Sequence, residues 1–153
     1  MLEVPYILLA DDSDDDTFFA HRCFAAAGTQ IELKRSRNGL ALISELQKSP
    51  SHLPLAIILD IKMPLMDGFD TLKWIRGQSS YSHLPVIILS SSDMEEDRFR
   101  AHQLGCSEFL VKPTQLSDLE TLLKNLIERL LGRQASVISV AAGVSAKTPH
   151  PSP

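Results

Sequence analysis

Three short apolar runs punctuate the chain without alternating with polar residues: YILLA at 6–10, LAIILD at 55–60 and PVIILS at 85–90. Runs of that length, rich in Ile, Leu and Val, suit strands covered on both faces, as in a parallel sheet. Two weaker runs, IELKR at 31–35 and EFLVK at 108–112, predict two further strands. Between the runs, residues recur at helical intervals. Phe18, Phe19, Arg22, Cys23 and Ala26 mark a first helix ending near Gly28. Leu40, Ile43, Leu46 and Gln47 mark a second, and Phe69, Leu72, Lys73 and Ile75 a short third closed by Gly77. A fourth helix is predicted from about Met94 to Leu104. Ser92 or Asp93 would be its N-cap, Glu95 and Glu96 favour its first turn, and Gly105 stands where a C-terminal cap belongs. The fifth carries Leu116, Leu119, Leu122, Leu123, Leu126, Ile127, Leu130 and Leu131, and starts after Pro113, which cannot sit inside a helix without breaking a bond.

Strand and helix thus alternate five times, which predicts an α/β domain with a doubly wound, five-stranded parallel sheet over residues 1–131. Its 153 residues suffice for one domain with a real core and leave no room for a second. Beyond Gly132 small residues and late prolines dominate, so 132–153 is expected to be a disordered tail, with VISVAAGV not read as a strand. The formal charge of −4 comes without a basic stripe, which argues against a nucleic-acid surface. The N-terminus lacks a basic segment ahead of its short apolar run, and no segment approaches the ~20 apolar residues needed to cross a bilayer. The expectation is a cytoplasmic protein without a membrane partner. Cys23 and Cys106, far apart and in no metal-ligand spacing, read as reduced thiols.

Ligands of open parallel sheets bind outside the carboxyl ends of the strands. There the first strand presents Asp11 and Asp12, the third Asp60, the fourth Ser90 and the fifth Lys112. Three carboxylates converging without a cation would repel, and an all-oxygen set of this kind suits Mg²⁺. This divides the crowded opening ILLADDSDDDTFFAHR in two: Asp11 and Asp12 face the metal, while Asp14, Asp15 and Asp16 begin a helix, where its dipole stabilises negative charge. A calcium loop starting at Asp12 is rejected, because Thr17 and Cys23 stand where Gly and Glu are needed.

ILLADD, LDIKMPLMDG at 59–68, LPVIILSSS at 84–92 and FLVKP at 109–113 occur in this order at the right strand ends. On them the chain resembles a response-regulator receiver domain, the phosphorylation module of two-component signalling, over roughly residues 5–131. The resemblance implies a flavodoxin-like (βα)5 fold and Asp60 as the phosphoacceptor. It implies that Asp11 and Asp12 hold Mg²⁺ with Asp60 and the backbone carbonyl of Lys62, and that Lys112 contacts the phosphoryl oxygens. Ser90 matches the switch hydroxyl, and Phe109 the aromatic switch, whose ring turns inward once that hydroxyl has moved. Pro113 matches a proline usually joined by a cis bond. Lys62 and Ser92, two residues past acceptor and switch, stand where this family sets the lifetime of the phospho-state.

The implied partners are a sensor histidine kinase and a downstream protein bound through the face of the fourth helix, fifth strand and fifth helix. Short regulators of the chemotaxis type and those paired with phytochrome-type kinases are both similar. The opening DDSDDDTFFAHRCF and the stretch from Gln78 to Leu84 are more like the latter, which often form homodimers through the same face. The chain is expected to catalyse only its own phosphorylation and dephosphorylation. Two other readings stay in play: a haloacid-dehalogenase-type phosphatase, whose motif counted from Asp12 fails at Asp16, and a receiver-fold scaffold that is never phosphorylated.

Overall fold

The computed structural model describes residues 3–28 and 30–141. Its elements follow the predicted order: β1 (Tyr6–Ala10), α1 (Asp14–Ala26), β2 (Glu32–Ser36), α2 (Gly39–Lys48), β3 (Ala56–Leu59), α3 (Gly68–Gly77), β4 (Val86–Ser90), α4 (Glu95–Gln103), β5 (Glu108–Val111) and α5 (Leu116–Ala141). The strands form one parallel sheet in the order β2-β1-β3-β4-β5. That is the flavodoxin-like doubly wound order, with its switch point between β1 and β3.

The three uninterrupted apolar runs became the three inner strands, in which every residue is buried. The weaker runs became the edges β2 and β5, where burial is mixed. Alternate residues of the inner strands serve opposite cores. Leu8, Ile57, Leu59 and Ile88 pack with Leu42, Leu46, Leu72 and Ile75 of α2 and α3 on one face. Ile7, Ile58, Ile87 and Leu89 pack with Phe24 of α1 and Leu123, Leu126 and Ile127 of α5 on the other. Truncating any one of these to Ala would cost about 2–5 kcal/mol. This two-sided burial holds the carboxyl ends of β1, β3 and β4 side by side.

Two expectations need correction. Neither Ser92 nor Asp93 caps α4; Met94 does, without a side-chain hydrogen bond. The Ser92 hydroxyl is used instead by the Asp97 carboxylate, to which it donates. The fifth helix does not give way to an irregular tail at residue 132, because α5 continues to Ala141. No proline interrupts that stretch, and Arg133, Gln134 and Ala135 are good helix formers, so the helix tolerates Gly132. The rest of the expected tail, 142–153, lies outside the described residues. The sequence left the Lys112–Pro113 bond open; no peptide bond among the described residues is cis, so it is trans, the form favoured by about 0.5–1 kcal/mol for an X–Pro bond. Gly105 does follow α4 with a left-handed backbone (φ 94°), as its C-terminal position requires. Among the described residues no helix is long and apolar enough to cross a membrane.

Candidate functional site

Each strand that ends at the switch point delivers a functional residue one or two positions later. Asp11 leaves β1 with its amide bonded to the Ser36 carbonyl of β2 at 3.1 Å, and Asp60 leaves β3 with its amide bonded to the Ala10 carbonyl of β1 at 2.9 Å. Lys112 leaves β5 with its amide bonded to the Ser90 carbonyl of β4 at 2.7 Å. The sheet ladder, continued one step past the strands, therefore sets where these side chains start.

Carboxylate oxygens of Asp11, Asp12 and Asp60 all lie within 4.8 Å of one another. Asp11 is buried, and both of its oxygens are engaged: Oδ1 accepts the Ser13 amide at 2.9 Å, and Oδ2 accepts Lys112 Nζ at 2.8 Å. Asp60 Oδ1 accepts the Ile61 amide at 2.8 Å, and Oδ2 lies 3.4 Å from Lys112 Nζ. Burial pushes the Asp60 carboxyl above its ordinary range; the charge of Lys112 pulls it back, and that of Asp11 adds to the rise. For Lys112 burial by itself would lower the pKa, but the hydrogen bond to Asp11 and the charges of Asp11 and Asp60 outweigh it and raise it above its ordinary value. Lys112 is thus a permanently charged ammonium facing a carboxylate that burial disfavours.

The loop after Asp60 is held tightly. Gly68 starts α3 against the Asp60 backbone, with its amide on the Ile61 carbonyl at 2.8 Å. A Cβ at Gly68 would fall 2.2 Å from the Asp60 carbonyl oxygen, so only glycine fits there. Asp67 caps α3 by accepting the Asp70 amide at 2.8 Å. Outside this loop an open groove of roughly 560 Å³ is lined by Asp12, Lys62, Met63, Asp67, Phe69 and Arg100, among others. Arg100 lies over the Phe69 ring at 4.2 Å.

Of the predicted residues, Asp11, Asp12, Asp60 and Lys112 come together, and Lys62 lies on the rim beside them. Ser90 is buried at the end of β4, its hydroxyl accepting the Ser92 amide at 3.2 Å. Phe109 is only 5% exposed and belongs to the α2–α3 core, with Arg98 of α4 over its ring at 5.0 Å.

Two residues escaped the sequence reading. Asp16, counted there as a helix-start acid, also reaches Lys112 Nζ at 3.0 Å. Arg35 on the edge strand β2 donates through Nε to the Asp11 carbonyl at 2.9 Å, and through Nη1 to Asp14 Oδ1 at 2.9 Å. For Asp16 the helix-start position gave no signal, because α1 begins only at Asp14 and the partner lies 96 residues away. For Arg35 no signal existed, because nothing along the chain relates a β2 side chain to the loop after β1.

A divalent cation suits this donor set. Three carboxylates, from Asp11, Asp16 and Asp60, face the Lys112 ammonium, and Asp11, Asp12 and Asp60 offer oxygens close enough to share an ion. Hard cations with oxygen ligands match that chemistry.

Residues 7–124 match the response regulator receiver domain. The chain belongs to that family. Response regulator Rre1 of Synechocystis sp. is 41% identical over 96 residues, which cover 63% of this chain and 39% of Rre1. The chain therefore spans well under half the length of that relative. Among solved structures, the phosphorylated cyanobacterial phytochrome response regulator RcpA superposes with a TM-score of 0.79 at 26% identity, covering 84% of this chain and 95% of its own. The Mn²⁺-bound form of response regulator Rcp1 gives 0.74 at 28% identity, covering 80% of this chain and 91% of its own. The family accounts for why a receiver chain gathers acids at the switch point of its sheet.

Proposed function

We propose that this receiver domain accepts a phosphoryl group from a histidine kinase onto Asp60, with Mg²⁺ held by Asp11, Asp12, Asp60 and the Lys62 backbone carbonyl. The observation that carries this reading is the surroundings of Asp60: its Oδ2 lies 3.4 Å from the Lys112 ammonium, within the one cluster among the described residues where three carboxylates approach. In the reaction a carboxylate oxygen of Asp60 forms a bond to phosphorus. The bond from phosphorus to the donor nitrogen breaks, and the leaving imidazole keeps the electron pair and gains a proton. Bound Mg²⁺ would neutralise charge on the phosphoryl oxygens. Lys112 supplies the protein's own positive charge there, pre-placed and dry. Water later attacks the acyl phosphate and restores the carboxylate, so the protein turns over only itself. The Mn²⁺-bound Rcp1 supports the metal, and the phosphorylated RcpA supports the acceptor role.

The Ser90 hydroxyl would leave the Ser92 amide and bond the phosphoryl group, changing the loop that leads into α4. The α4–β5–α5 face then changes its affinity for a downstream protein. Exposed Phe99 on α4 and exposed Met94 at its N-cap support that role for the face, and a homodimer through it is part of the same proposal. The likeness to RcpA favours a phytochrome-type kinase as the donor. Incubation with candidate kinases and labelled ATP tests the reading: label should require Mg²⁺ and vanish in Asp60→Asn. Persistent label on that variant would overturn the acceptor assignment.

A further inference from the structure

We propose that Asp16 is a positioning residue for Lys112, aiming the one N–H that the ammonium offers the phosphoacceptor; the proposal rests on the phosphoryl-acceptor reading above. A lysine ammonium has three donors and no acceptor. Here three carboxylates face Nζ at unequal distances: Asp11 Oδ2 at 2.8 Å, Asp16 Oδ2 at 3.0 Å and Asp60 Oδ2 at 3.4 Å. Two short bonds fix both the place and the rotation of a tetrahedral group. The third donor is thereby pointed at Asp60, in a contact too long to be strong. It is the donor most easily passed to an oxygen on an incoming phosphoryl group.

The local structure is arranged to free Asp16 for this task. Ser13 and Asp16 stand in the spacing of a capping box, in which the acid at the third helical position reaches back to the cap's amide. The first half of the box forms, since Ser13 Oγ accepts the Asp16 amide at 3.2 Å. The second half does not, because the Ser13 amide is already donated to Asp11 Oδ1 at 2.9 Å. The Asp16 carboxylate is left without that partner and turns to Lys112 across a contact 96 residues apart in sequence. Lys112 and Asp16 line one narrow cleft of roughly 20 Å³ together with Leu9, Ala20, Leu89 and Leu119. Asp16 stands outside the Asp11, Asp12 and Asp60 cluster. It remains available to Lys112 when that cluster is otherwise engaged.

The test uses the full chain with acetyl phosphate and Mg²⁺, following acyl-phosphate formation by intact mass at saturating donor. The Asp16 side chain is 41% exposed, so Asp16→Ala should keep the fold, as circular dichroism would verify. Loss of the acceptor should slow phosphorylation about tenfold or more. Asp16→Asn, which retains an oxygen to accept from Nζ, should recover most of the rate. In a Lys112→Ala background, adding Asp16→Ala should change nothing further, because Asp16 acts through Lys112. As a readout apart from activity, the ¹⁵N-detected Lys112 ammonium should shift and exchange faster in Asp16→Ala. Equal rates for Asp16→Ala and wild type would overturn the proposal, as would fully additive losses in the double variant. Wild-type protein that takes no phosphate at all would instead overturn the acceptor reading, so the two failures are distinguishable.

Discussion

At the start of β1, Tyr6 donates its hydroxyl to the His52 carbonyl at 2.7 Å, and Lys34 Nζ lies over its ring at 4.5 Å. His52 in turn meets the Val4 carbonyl at 3.0 Å and the Glu3 carboxylate at 3.1 Å. Five residues further along the same strand direction, Asp11 opens a cluster of four carboxylates, three of which share one ammonium. One end of the sheet is closed by a ring, mixed charges and local bonds. The other concentrates like charge in a partly dry place. The contrast teaches that this fold separates stability from chemistry along a single strand: the acids are tolerable at one end because burial elsewhere holds them together. Proteins commonly accept such local conflict at functional sites.

The largest effect expected from breaking this contrast is at the quiet end. Tyr6→Ala removes a ring that is 3% exposed and should cost about 3 kcal/mol of stability, read by chemical denaturation. Its rate of phosphorylation below the unfolding transition should match wild type. A change there would show that the two ends are coupled. Next is the cation. Mg²⁺ at a hundredfold excess over its Kd should stabilise the native protein by about 2.7 kcal/mol, and Asp12→Asn should lose most of that gain, as thermal melts with and without metal would show.

The acceptor itself should act against stability in the absence of metal. A carboxyl whose folded pKa is raised costs stability while it is ionised, so Asp60→Asn should melt a few degrees higher at neutral pH, the scale of about 1 kcal/mol. The gap should narrow as pH falls through the raised pKa and close below the ordinary carboxylate range. A variant that melts lower at neutral pH would refute the conflict at this end. The smallest effect belongs to exposed Asp14, held below its ordinary range first by the Arg35 hydrogen bond and then by the charge of Arg37. Its contribution is present above the ordinary carboxylate range and disappears as pH falls through the lowered value. Asp14→Asn should therefore shift the midpoint slightly at neutral pH, and not at all in strong acid or high salt.

Much of this was legible along the chain. The three inner strands announced themselves as unbroken apolar runs because residues buried on both faces leave no place for polar alternation. The strand-end acids and Lys112 followed from where those runs stop, since a parallel sheet aligns its carboxyl ends. The α4 start was misread, because Ser92 has two partners to choose from and only the fold brings Asp97 close enough to claim it. The end of α5 was misread because small residues suggested a tail where the backbone continues its helix.

By itself, then, the sequence determined the order of elements, the doubly wound sheet and the identities of the groups meeting at its edge; periodicity and strand ends are local properties that the backbone must obey. Only the tertiary structure decided which acid holds which proton donor. Lys112 met Asp16 of α1, Arg35 met the Asp11 carbonyl from the neighbouring strand, and Phe109 was buried. Such pairings depend on distances between segments far apart in sequence, where differences of a few tenths of an ångström choose the partner, and no spacing along the chain carries that information.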